Sequence, residues 1–174
     1  MSDLRYPVGQ LTIPSSYSPD WRNRAIGEIA ETPRKFREAT AGLSPEQLDT
    51  PYRDGGWTVR QVIHHVPDSH LNAYVRLKLA LTEDAPTIKP YDEARWAALA
   101  DSSLVPVEVS LSLLESLHER WVTLLRSMSD ADFARPYTHP ETGRHDLNYL
   151  LAMYSWHGRH HTAHVTALRE RRGW

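Results

Sequence analysis

Residues 154–164 read Tyr-Ser-Trp-His-Gly-Arg-His-His-Thr-Ala-His, which puts His157, His160, His161 and His164 within eight residues. Imidazole is the commonest protein ligand for transition metals. On a helix, residues i and i+4 lie one above the other. A pair so spaced hands two ligands to one ion, and a third histidine from another helix leaves an open coordination position of the catalytic kind. The plainer reading is a set of core histidines bonded to their neighbours. A cluster weakens that reading, because every buried imidazole needs partners for both of its nitrogens.

The remainder of the chain must supply the third ligand and the frame. With 174 residues it fits one domain with a sizeable core, here taken as 1–174 with residues 1–17 as an N-terminal arm. Twenty basic and 22 acidic residues give a net charge of −2, which argues against a nucleic-acid or membrane partner. Neither a long apolar run nor a signal-peptide core is present, so the expected address is the cytoplasm. There is no cysteine, which removes disulfides, thiolate ligands and a cysteine nucleophile together.

Long amphipathic segments dominate, and no alternating runs argue for strands. Ser18-Pro19 starts a first helix to about Ala41, with Pro33 expected to kink or split it. Ser44-Pro45-Glu46-Gln47 starts a short helical turn. Thr58, with Gln61 as its capping-box partner, opens a second long helix to about Glu83. Residues 85–106 form a long connection with a short helix around Asp92 to Ala100. A third long helix spans about Val107 to Met128, with His118 filling the one gap in its apolar stripe. Residues 129–145 read as loop, turning at Gly143. Asp146 caps a fourth helix that Gly173 ends near Arg172. The expectation is an all-α four-helix bundle with a long central crossover connection.

At about 100° per residue, His157, His161 and His164 fall on the stripe set by Leu150, Tyr154, Val165 and Leu168, while His160 flanks it. The best-centred pair is His157 with His161; His160 with His164 is the competing pair. On the second helix Val62, His65, Val66, Ser69, Ala73 and Leu77 form a stripe that turns His65 inward, with His64 and His70 off it. Three neutral imidazoles, His65, His157 and His161, would hold one divalent ion and leave room for water or substrate. Asp68 could orient a ligand through its second nitrogen. His118 is a buried neighbour of the site or a polar group bonded across the bundle.

The strings GGWTVRQVIHHVPDSH, LDTPYRDGG, IKPYDE and HGRHHTAH resemble the DinB superfamily, and within it the YfiT-type branch of metal-dependent hydrolases, also described as bacillithiol S-transferases. The similarity runs from Tyr6-Pro7-Val8-Gly9 to Arg171-Arg172-Gly173-Trp174, with Pro67 replacing a helix former such as alanine. It implies a DinB-type four-helix bundle, one zinc or nickel ion per chain on three histidines, and a homodimer. The family's first ligand, eight residues after the tryptophan that opens the second helix, lands on His65; its i/i+4 pair lands on His157 and His161. The first expectation for activity is transfer of a low-molecular-weight thiol, such as bacillithiol, to an electrophilic small molecule. The alternatives are metal-assisted hydrolysis and a non-catalytic metal-binding stress protein, in which His64 or Asp68 would close the site as a fourth ligand. Asp68, Glu93 and His118 are the candidate proton acceptors. Arg60 and Tyr91, from the family-like motifs, are candidate substrate contacts.

Overall fold

The computed structural model describes residues 3–174, so of the expected arm Met1 and Ser2 lie outside the described residues. Four long helices carry the fold. α1 (Pro19–Thr40) is followed by the single turn α2 (Pro45–Leu48), then by α3 (Val59–Thr82). The crossover contains two short helices, α4 (Glu93–Ala97) and α5 (Asp101–Leu104), and leads into α6 (Val107–Ser127). The turn α7 (Asp130–Phe133), the strands β1 (Pro136–His139) and β2 (Gly143–Asp146), and α8 (Leu147–Arg172) complete the chain. No helix among the described residues is long and apolar enough to cross a membrane.

The start and stop signals act as their chemistry dictates. Ser18 accepts from the Trp21 amide, Thr58 and Gln61 form a reciprocal capping box, and Asp146 accepts from the Tyr149 amide. Gly173 ends α8 at φ 68°, in the left-handed region that glycine enters without a Cβ penalty. Pro33 does not divide α1, which is one continuous helix.

Residues 129–145 are more ordered than a loop. β1 and β2 pair antiparallel, Tyr137 opposite His145 and His139 opposite Gly143, and Gly143 turns at φ 89°. Thr138 also accepts from the Ile88 amide and donates to the Pro86 carbonyl, both at 2.9 Å, so the hairpin fastens the start of the crossover. Strands of four residues carry too little alternation to be read from sequence.

α1 packs against α6 and α8, and α3 packs against the same two helices, so successive long helices α1 and α3 sit on a diagonal. The interior has two apolar clusters. One gathers Ile29, Leu77, Trp121 and Leu151; the other gathers Phe36, Ile63, Leu114 and Val165. Each long helix contributes to both clusters, and many of the buried polar residues fall in the middle of the helices: Thr32 on α1, His65 and His70 on α3, His118 on α6, and His160, His161 and His164 on α8. The bundle therefore carries a polar belt across its middle.

α1 and α8 approach closely at Gly158. A Cβ there would lie 2.4 Å from Thr32 Oγ1 and 2.7 Å from Thr32 Cγ2. Thr32 is β-branched and donates to the Glu28 carbonyl at 2.9 Å, so it has little freedom to move aside. Gly158→Ala should destabilise the chain by about 1–3 kcal/mol despite alanine's better helix propensity. Urea unfolding checks this, and Thr32→Ala in the same chain should recover most of the loss.

Candidate metal centre

The capping box at Thr58 fixes where α3 begins, and His65 follows two turns later with its ring 4.6 Å from that of Trp57. On α8 the i/i+4 spacing brings the rings of His157 and His161 to 4.4 Å. His65 faces them across the bundle at 5.4 Å from His157 and 4.9 Å from His161. One ring nitrogen from each of the three lies within 4.8 Å of the others. Tetrahedral zinc with Zn–N bonds near 2.1 Å sets its donors about 3.4 Å apart, so small ring rotations suffice.

Burial sets the charge of this cluster. It lowers His65 to about 4, helped by the neighbouring His164, and it holds His157 and His161 well below the ordinary histidine range, reinforced by the surrounding imidazoles. All three are neutral at pH 7, the form that ligates a metal.

Hydrogen bonds fix which nitrogen is free. A backbone carbonyl can only accept, so His118 Nδ1 donates to Ile29 O at 2.8 Å. The neutral ring then accepts at Nε2 from His70 Nδ1 at 2.7 Å. His70 in turn accepts at Nε2 from His157 Nδ1 at 3.0 Å. That leaves a lone pair on His157 Nε2, approached by Ser69 Oγ at 3.4 Å. A second, shorter chain serves the other α8 imidazole. His164 Nε2 donates to Arg5 O at 3.2 Å, and His164 Nδ1 stands 3.4 Å from His161 Nδ1, where it can accept. Each chain starts at a carbonyl and ends by presenting an Nε2 lone pair, the arrangement that orients metal-binding histidines. The donor set fits a divalent ion.

These chains correct the outer shell expected from sequence. His70 is fully buried and touches His157, whereas Asp68 lines no part of the site. Asp68 is half-buried, and burial followed by the charge of Asp101 raises it to about 6. His118 holds His70 and does not reach the cavity. His64, off the inner stripe, is nevertheless buried, with Nδ1 2.7 Å from Ser110 Oγ and Nε2 unpartnered, and it stands outside the triad. His160 is also buried, and with His161 and His164 it forms a second set of nitrogens within 4.8 Å. Two contacts tie His164 elsewhere, the Arg5 carbonyl and the face of Tyr52 at 4.0 Å, so we read that set as support for His161.

Replacing His70 with Phe keeps most of the volume but leaves His157 Nδ1 and His118 Nε2 buried without partners. Zinc affinity, measured by competition with a chromogenic chelator, should fall about 10–100-fold. An unchanged affinity would mean that His157 does not depend on this chain of rings.

The triad opens on a cavity of about 440 Å³ walled by α3, α8, the hairpin and the crossover. Tyr91 and Glu93 reach it as expected. Burial raises the Tyr91 phenol well above its ordinary range, so it stays a neutral donor. Arg60 does not reach the cavity; its Nε is paired with Asp49 Oδ1 at 2.7 Å.

A model of the DinB superfamily matches residues 28–165. The chain belongs to the DinB superfamily. Two curated relatives, from Bacillus mycoides (strain KBAB4) and Bacillus cereus (strain ATCC 10987), are each 55% identical over 174 residues and span 100% of both chains; both are named "Putative metal-dependent hydrolase". The solved structure of YfiT from Bacillus subtilis superposes with a TM-score of 0.96 at 47% identity, covering 98% of each chain. YfiT is described as a probable metal-dependent hydrolase with an unusual four-helix bundle topology. Its likeness to this chain spans the bundle, the crossover and the hairpin alike.

Proposed function

We propose that this DinB-superfamily chain is a metal-dependent hydrolase holding one divalent ion, zinc or nickel, on His65, His157 and His161. The observation that carries the reading is a largely buried, neutral three-imidazole cluster that opens on a cavity, with no fourth protein ligand in its group among the described residues. Neither His64 nor Asp68 joins the group, which argues against a sealed structural ion. The names of the full-length relatives support hydrolysis over other metal chemistry.

When bound, the ion supplies a Lewis acid that polarises a carbonyl and activates water near neutral pH. The chain supplies the rest. Trp57 and Trp156 wall the cavity beside the triad and limit bulk water. Tyr91 and Ser69 offer hydroxyl donors to a developing oxyanion. Of the three candidate proton acceptors, Glu93 alone lines the cavity, and we assign it the general-base role.

Thiol transfer is the second reading. The absence of cysteine is compatible with it, since no protein thiol competes for the ion. One experiment separates the two. Metal-reconstituted protein is assayed against activated esters and amides, and in parallel against low-molecular-weight thiols with a chromogenic electrophile. Metal-dependent turnover of esters or amides that Glu93→Gln reduces at least tenfold is the expected result. Acceleration confined to the thiol arm overturns hydrolysis in favour of transfer. The homodimer implied by the resemblance is proposed on the same footing and is read by light scattering.

A further inference from the structure

The cavity has a second polar end. Arg76 follows His65 by eleven residues on α3, which is three turns and about 20° of rotation. Both residues therefore reach the same wall, about 16 Å apart along the helix axis. Arg76 is the one lysine or arginine in that wall among the described residues. Its Nη2 donates to the Lys89 carbonyl at 3.1 Å, which holds the guanidinium in place against the crossover. Its Nε is buried without a partner.

Among the described residues no Asp or Glu oxygen within 4 Å neutralises it. The ion pairs of the described residues engage Arg5, Arg22, Arg34, Arg37, Arg60 and Arg159 instead. Glu141, also in the wall, is exposed on the hairpin loop, and Glu93 stands at the start of α4. Tyr137, His139 and His145 come from the hairpin to the same end and can add hydrogen-bonding groups. A guanidinium held by one bond, with unused donors and no carboxylate in direct contact, is organised to receive a planar anion that accepts at two points.

We infer that Arg76 binds a carboxylate at the end of the substrate remote from the triad, so that the substrate is an elongated small molecule with a carboxylate tail. This deepens the hydrolase reading, which places the reacting bond at the metal end. The anion subsite itself can be tested without turnover.

Trp57 and Trp156 line the cavity, so a nitroaryl ligand entering it should quench their fluorescence. The probes are 6-(4-nitrobenzamido)hexanoate and its methyl ester, titrated into the full chain both stripped of metal and loaded with zinc. The acid should bind at least tenfold more tightly than the ester in both states. Arg76→Ala should erase that preference while leaving ester binding unchanged, and Arg76→Lys should restore part of it. Far-UV circular dichroism establishes that the variants are folded. Equal binding of acid and ester, binding of neither, or a preference that survives Arg76→Ala would overturn the inference. A preference seen with zinc alone would do so too, by assigning the carboxylate to the ion. If the ester and amide panel fails while the Arg76-dependent preference persists, the hydrolase reading falls and the anion subsite stands; the converse result separates them the other way.

Discussion

Replacing His157 and His161 together with alanine should yield a chain that remains helical and carries no stoichiometric zinc, with metal content falling from about one ion to less than about a tenth of an ion per chain. The size of the effect follows from ligand count. Even residues that merely orient a ligand cost about 10–100-fold in metal affinity when removed, and this variant deletes two of three donors. The helices should survive, because the apolar clusters on either side of the polar belt do not include these residues. Elemental analysis after dialysis reads the metal, and far-UV circular dichroism reads the fold. One retained ion in a folded double variant would place the site elsewhere, with His160 and His164 the first residues to test.

The second large effect is acid sensitivity of the metal-free protein. Burial lowers His65, His118, His160 and His164 each to about 4. In the unfolded chain they titrate near the ordinary histidine value of about 6.5. Between those values the unfolded state holds more protons than the folded one, so stability rises with pH and is lost as pH falls from about 6.5 towards 4. Each such group contributes a slope of about 1.4 kcal/mol per pH unit. Four acting together approach the total stability of a typical domain within one to two units. Chelator-treated protein should therefore unfold with a midpoint between about pH 4.5 and 5.5, steeply, when followed by circular dichroism. A chain still folded at pH 4 would mean that the belt imidazoles accept protons without cost. His70, His157 and His161 shift in the same direction and steepen the transition.

Much of the frame was legible in the residues. Ser18, Thr58, Asp146 and Gly173 mark helix ends by local chemistry, which needs no tertiary context. His65, His157 and His161 were legible because each sits on the apolar stripe of its own helix, and the structure brings those three rings together. The rest of the belt was not legible, for one physical reason. A stripe argument assigns each helix a single inner face, yet α3 and α8 are buried on more than one. His64 turns towards Ser110 on α6, His70 towards His118, and His160 packs beneath Trp156 with its ring at 4.2 Å. Asp68 looked like the orienting partner because carboxylates commonly take that place. The chain uses imidazoles anchored on the carbonyls of Ile29 and Arg5 instead. The Arg5 anchor comes from the irregular N-terminal segment, whose position on α8 no periodicity encodes. The hairpin escaped notice because its strands are four residues each and its partner segment at Pro86–Ile88 is remote in sequence.

The most direct test is a crystal structure of the zinc-loaded chain with anomalous data at the zinc edge. The expected result is one peak per chain bonded to His65 and to the Nε2 atoms of His157 and His161, with at least one remaining position facing the cavity and filled by solvent. A peak centred on His160 and His164, or a zinc closed by a fourth protein atom, would contradict the account.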